Sequence, residues 1–314
     1  MKAMEKENRE SGCPEGLIVL DKPEGITSQT AVSAVRRLFG ASKAGHTGTL
    51  DPMATGVLPI LLGGTTRAAE FLVDSKKHYL CHMKLGITTD TEDTTGEVLT
   101  RSDAIPDATE ISRICRQFVG RIMQTPPMYS AIRVDGRRLM ELARSGVTVE
   151  REAREIEIYS LDARPLSRDE WELDVVCSKG TYIRTLCADI GARAGCGGAM
   201  SALRRLESGG FDVTRAVTLD ALREMSAEER TALVVGVEEI FSSLQRIRLP
   251  AFFERLASCG LEIYLKKIGS PSLSEGTLVV LTGDRGLFAL GRVDAFPDGP
   301  AIRPIRQFGA RSIK

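Results

Sequence analysis

The sequence predicts an α+β fold: a central mixed, largely antiparallel sheet followed by a small β-rich C-terminal domain. Three observations predict it. Tyr79, Cys81, Met83 and Leu85 alternate with other residues, as do Ile156 and Ile158, then Trp171, Leu173, Val175 and Cys177, which is the two-residue period of half-buried strands. The last two of these runs are joined through Arg164 to Glu170, a hairpin rather than the helical crossover that a parallel sheet needs. Near the end, Thr277 to Leu281 and Leu287 to Val293 flank the turn Gly283-Asp284-Arg285-Gly286.

Taken in order, residues 1–13 are polar and read as a flexible tail. Leu17-Ile18-Val19-Leu20 is a buried strand that ends at Pro23. Ser28 caps a helix with Val32, Val35, Leu38 and Phe39 on one stripe, and Gly40 stops it. Gly45-His46-Thr47-Gly48-Thr49-Leu50-Asp51-Pro52 and the following Met53 to Leu58 are the most site-like stretch. Glycines at 45, 48 and 56 allow tight turns and close approach to the main chain, and they surround one carboxylate and one of three histidines. A plain helix start with Asp51 as cap and Pro52 in the first turn is the competing reading. From about residue 123 to 152 the chain has Pro126-Pro127, Tyr129 and several arginines without a clean period, which suits a binding loop. Ser178-Lys179-Gly180 ends the strand after Trp171, and Thr181 caps a helix through Leu186 and Ile190. Arg184 then stands at the positive end of that helix, where a cation is unfavourable unless it has an anionic partner; Asp189 or solvent is the local alternative. A short acidic helix carries Glu238-Glu239, and a domain boundary falls between Ser243 and Pro250.

Composition narrows the function classes. With 314 residues and 42% hydrophobic content the chain can bury a large core. It has no run of about 20 apolar residues and no apolar leader, so no membrane is expected and the cytoplasm is the expected compartment. The seven cysteines, 13, 81, 115, 177, 187, 196 and 259, include no Cys-x-x-Cys and read as reduced and mostly buried. Lys plus Arg and Asp plus Glu are 42 each, so any RNA contact must come from local patches. Candidates are Arg36-Arg37, the set Arg133, Arg137, Arg138 and Arg144, the pair Arg204-Arg205, and the tail with Arg303, Arg306, Arg311 and Lys314. Asp90 to Glu97 fails as a calcium loop because its glycine is late and its Glu early; Asp90 reads instead as a turn cap or a brace. His78 and His82 lack the Glu of a zinc motif, and neither Gly-x-Ser-x-Gly nor a P-loop occurs. No metal or cofactor is expected.

The Asp51 stretch resembles the signature Gly-His-Thr-Gly-x-Leu-Asp-Pro of the bacterial TruB family of tRNA pseudouridine-55 synthases. The resemblance continues in order through Leu20-Asp21-Lys22-Pro23, Lys77-His78-Tyr79, Gln124 to Ala131, Ser178 to Arg184 and Leu203-Arg204-Arg205-Leu206. It implies a pseudouridine synthase catalytic domain over 14–246, with the 123–152 insertion closing over RNA, and a PUA-like RNA-binding domain over 247–314. It also implies isomerisation of uridine 55 in the tRNA T-stem-loop by a monomer that needs no protein partner. Asp51 is then the catalytic carboxylate, acting at C1′ or C6 or removing the C2′ proton. Arg184 pairs with it, and Tyr79 stacks on the flipped uracil and can move a proton. By the same resemblance His46 holds bases out of the stack, Leu203 pads the uracil pocket and Tyr182 lines it. Lys22 and Arg67 contact phosphate or support the site. Without the resemblance, Tyr79 reads as a core tyrosine and His46 as a turn residue. Two rivals share these motifs: a tRNA-binding folding helper without chemistry, and a guide-RNA-dependent synthase subunit.

Overall fold

The computed structural model describes residues 14–72, 76–134, 136–269 and 273–308. The expected tail, Cys13, Arg311 and Lys314 lie outside them, as does the Arg138 side chain. The first half contributes strands β1 (Gly16–Lys22), β2 (Ala44–His46), β3 (Thr55–Leu62), β4 (Lys77–Leu85), β5 (Ile87–Thr89), β6 (Val98–Arg101) and β7 (Gly120–Gln124). The insertion adds β8 (Arg133–Val134) and β9 (Arg137–Arg138), and then come β10 (Arg154–Pro165), β11 (Glu170–Cys177), β12 (Gly198–Ser208), β13 (Phe211–Asp212) and β14 (Val217–Thr218). The main sheet runs β14-β1-β3-β12-β4-β11-β10-β7, with β2 and β13 paired at its side. Within it only β1–β14 and β3–β12 pair in parallel, so the sheet is mixed and largely antiparallel, as the alternation predicts.

A second, C-terminal sheet is built from β15 (Gln245–Arg248), β16 (Ile263–Tyr264), β17 (Leu278–Gly283), β18 (Gly286–Phe296) and β19 (Gly299–Gln307), in the order β15-β17-β18-β19-β16. The β17–β18 hairpin is the one that the glycine-bracketed turn predicts.

One side of the main sheet is covered by helices Ser28–Leu38, Ala108–Arg116 and Ile183–Arg193 over Leu20, Leu58, Cys81, Met83 and Trp171. The other side buries Leu17, Val19, Val57 and Leu61 with Phe211, Val235 and, from the C-terminal sheet, Val280 and Leu290. Both faces of β1 are therefore dry, which is why Leu17 to Leu20 is continuously apolar. On β4 the outward histidines are spoken for: His78 Nε2 lies 2.7 Å from Asp174 and His82 Nε2 3.5 Å from Glu172, across to β11.

Several local expectations need correction. Thr27, not Ser28, caps the first helix by accepting from Thr30 N at 3.0 Å, and Ser28 is buried inside it. Thr181 does not cap the Ile183–Arg193 helix, because its hydroxyl donates to Ser178 O at 3.0 Å; Arg184 is thus the second helical residue. Asp51 starts no helix; a single turn, Ala54 N to Asp51 O at 3.0 Å, follows it. The insertion is partly ordered, with the β8–β9 hairpin and helix Leu139–Arg144. Elements of two to six residues are too short to imprint a period on the sequence. The acidic helix is a single turn, Val237–Ile240.

Candidate active site

Asp51 sits on the β2–β3 connection, where side chains hold the carbonyls of Gly48, Thr49, Leu50, Pro52 and Ala54. Ser28 Oγ donates to Leu50 O at 2.9 Å and accepts from Leu50 N at 2.8 Å. Lys22 Nζ donates to Pro52 O at 3.2 Å and Ala54 O at 2.6 Å, besides Pro23 O at 2.9 Å. Arg205 donates from Nε to Val57 O at 2.7 Å, from Nη2 to Gly48 O at 3.0 Å and from Nη1 to Thr49 O at 3.4 Å. Gly56, with φ +99°, is required where the loop re-enters β3, because a Cβ there would overlap the Arg205 carbonyl.

Arg184 meets this loop from the helix that follows β11. Its Nε lies 2.8 Å from Asp51 Oδ2 and its Nη2 3.4 Å from Asp51 Oδ1, a fork on the carboxylate. Two further donors are used: Nη1 donates to Thr91 O at 3.0 Å and Nη2 to Tyr129 O at 2.8 Å. The guanidinium side chain is 6% exposed and the Asp51 side chain 35%, so the cation forms the floor and the carboxylate the accessible face. The local alternative for Arg184 is thereby set aside, since its carboxylate is Asp51 and not Asp189.

Tyr79 is buried on β4, opposite Arg205 on β12, and Leu203 stands opposite Cys81 two residues away; Tyr79 and Leu203 share one apolar cluster. Burial pushes the Tyr79 hydroxyl pKa up, opposed by the Arg205 guanidinium beside it. His46 is half-buried on β2; burial and the Arg205 charge lower its pKa, which favours the neutral ring. Tyr182 precedes the Arg184 helix, and Gln124 exchanges two hydrogen bonds with its backbone, N to Oε1 at 2.8 Å and Nε2 to O at 3.0 Å. The amide oxygen thereby satisfies the Tyr182 N–H just ahead of the helix, whose first turn has no side-chain cap.

Lys22 and Arg67, each expected either to contact phosphate or to support the site, take different places. Lys22 is fully buried and spends its donors on carbonyls, which is the second of these alternatives, support of the Asp51 loop. Burial lowers its pKa to about 8, with the Asp51 charge acting against the drop. Arg67 is exposed beyond the opposite end of β3 from this loop and bonds Gln307 O of β19 at 3.5 Å, at the junction with the C-terminal sheet. The Arg204-Arg205 patch also dissolves: Arg205 is buried, and Arg204 pairs with Asp21 at 2.7 Å.

Sequence reading missed a second carboxylate. Asp93 is buried 3.9 Å from Arg184 Nε, and its Oδ1 accepts from Thr91 Oγ1, Thr95 N and Thr95 Oγ1. Beside it Glu92 is the one non-glycine with positive φ (64°) among the described residues, and its Oε2 accepts from Thr185 Oγ1 at 2.5 Å. The only sequence signal for either is the acidic, threonine-rich run that fails as a calcium loop. Asp90 does brace: it accepts from Glu97 N at 2.8 Å and from the Tyr129 hydroxyl at 3.3 Å. No metal-binding cluster occurs among the described residues.

Known proteins share both this architecture and this sequence. The family model described as TruB family pseudouridylate synthase (N terminal domain) matches residues 36–183, and that of the tRNA pseudouridylate synthase B C-terminal domain matches residues 184–251. The chain belongs to the TruB family of pseudouridylate synthases. A protein named tRNA pseudouridine synthase B from Syntrophotalea carbinolica is 43% identical over 88% of this chain and 90% of its own length. The one from Aromatoleum aromaticum is 42% identical over 94% of each. Among solved structures, a chain of a Cbf5–Nop10–Gar1 complex superposes with TM-score 0.72 at 26% identity, covering 96% of this chain and 87% of that one. The TruB-family fold thus accounts for the mixed sheet and the β-rich C-terminal unit together. As a TruB-family member the chain is a tRNA pseudouridine synthase, an isomerase.

Proposed function

We propose that this enzyme converts uridine 55 of the tRNA T-loop to pseudouridine, unaided by guide RNA or partner proteins, as a cytoplasmic monomer with Asp51 as the catalytic carboxylate. One observation carries the reading: a partly exposed carboxylate forked onto a buried guanidinium, on a loop whose main chain is held from three sides. The reaction breaks C1′–N1, turns the uracil and joins C5 to C1′, moving the C5 proton and needing no oxidant or hydrolysis. What the protein must supply is a fixed anion, a dry clamp for the detached base and a way to expose it.

Arg184 holds the Asp51 oxygens in one orientation, so little reorganisation is left for the reacting geometry. Tyr79 and Leu203 offer an apolar wall for the uracil face, and Tyr182 closes the side next to Arg184. Extracting the base from the loop costs a few kcal/mol, which stacking on His46 and Tyr79 can return. The insertion is part of the same device, since the Tyr129 carbonyl is one of Arg184's acceptors. Residues 14–246 would carry this chemistry, with 247–314 as an RNA-binding PUA-like domain.

The test is pseudouridine mapping on an unmodified tRNA transcript after incubation with the purified chain or with Asp51→Asn. Modification at position 55 by the wild type alone, without guide RNA or added metal, supports the reading. Modification elsewhere, or none with tRNA still bound, refutes it in favour of another position, the folding helper or a guide-dependent subunit.

A further inference from the structure

Arg205 is fully buried, yet among the described residues no carboxylate lies within ion-pair distance of it. Three main-chain carbonyls take its protons instead, and their positions in the chain are informative. Gly48 and Thr49 precede Asp51, whereas Val57 follows it, so one planar group ties the incoming arm of the loop to the outgoing one. The Arg205 backbone reinforces the clamp, pairing with Gly56 on one side and Tyr79 on the other. An apolar side chain would fill this space without the cost of a dehydrated charge. Fold stability alone therefore does not explain a guanidinium here.

We propose that Arg205 is a positioning residue for the isomerisation: it clamps both arms of the Asp51 loop and abuts the Tyr79 hydroxyl, registering the carboxylate against the aromatic wall. This rests on the reading of Asp51 as the catalytic carboxylate. The Arg205 charge acts on Tyr79 from β4, His46 from β2 and Lys22 from β1, and the Lys77 stem of β4 flanks the same Gly48 space as the guanidinium. Its charge disfavours the imidazolium of His46, which gives a readout that does not depend on turnover.

The experiment compares wild type, Arg205→Lys and Arg205→Met by single-turnover pseudouridine formation, by tRNA affinity and by NMR titration of the His46 ring. Expected are tRNA affinity within about threefold of wild type and a rate loss on the order of 10²-fold, the usual effect of a reacting group displaced by about an ångström. The loss should be smaller for Lys, which keeps the charge and can reach one carbonyl. His46 should titrate at higher pH in Arg205→Met than in wild type. Rates near wild type in both variants overturn the proposal, as does a rate loss matched by an equal loss of affinity. Failure of both variants to bind tRNA at all also overturns it, assigning Arg205 to fold stability. If the wild type itself leaves uridine 55 unmodified, the functional reading fails; an unshifted His46 titration, by contrast, refutes the clamp alone.

Discussion

Replacing Arg184 by Lys keeps the charge and removes the fork. In the wild type, Nε and Nη2 reach the two Asp51 oxygens at 2.8 and 3.4 Å, while Nη1 and Nη2 hold Thr91 O and Tyr129 O at 3.0 and 2.8 Å. A lysine ammonium is a point donor on a shorter reach, so it can serve the carboxylate or the two carbonyls but not all of them. Losing one charge-assisted bond costs about 1.5–3 kcal/mol, and breaking a fully buried pair about 3–5 kcal/mol. Arg184 is 6% exposed but Asp51 is 35% exposed, so water softens the upper figure. About 2–4 kcal/mol is then lost from the reacting geometry, or roughly 30- to 900-fold in rate at 1.36 kcal/mol per decade. The assay is single-turnover pseudouridine formation on a T-stem-loop transcript, with affinity measured separately. A rate within threefold of wild type at unchanged affinity would refute the argument that fork geometry, rather than charge, is what Asp51 requires.

Other perturbations test the surrounding scaffold. Gly56→Ala places a Cβ on the Arg205 carbonyl at positive φ, so urea unfolding should show a loss of about 2–4 kcal/mol. Lys22, with a folded pKa of about 8 below its ordinary 10.5, is disfavoured as a buried cation, so its contribution improves as pH rises from about 8 to 10.5, where the unfolded chain binds the extra proton. The stability of wild type relative to Lys22→Met should therefore increase between pH 7 and pH 10; a constant difference would contradict the burial argument. Deleting the C-terminal sheet would strip Val280 and Leu290 from a core they share with Leu17 and Val57, so its RNA role is better tested by point changes. Lys266→Gln with Lys267→Gln, removing two ammonium groups that lie over Tyr264, should lower tRNA affinity and flatten its salt slope by about 0.7–0.9 for each phosphate that is no longer neutralised.

The sequence by itself determined the elements whose signal is local. Alternation at 79–85 and 171–177 specified strands because a half-buried sheet needs only a two-residue period, and the glycine-bracketed turn at 283–286 specified the hairpin. Asp51 stood out because glycines and a histidine crowd it, and Arg184 because a cation in the first turn of a helix needs an anion. Tertiary structure decided the rest. Ser28 reads as a cap, Arg205 as part of a surface patch and Lys22 as a phosphate contact or site support, yet all three are buried and hold the Asp51 loop from 22 to 157 residues away in the chain. Asp93 similarly passes for a turn residue until Arg184 is brought beside it. The physical reason is that a charged side chain is exposed by default, and only contacts between distant segments supply the carbonyls and dry surroundings that make its burial tolerable.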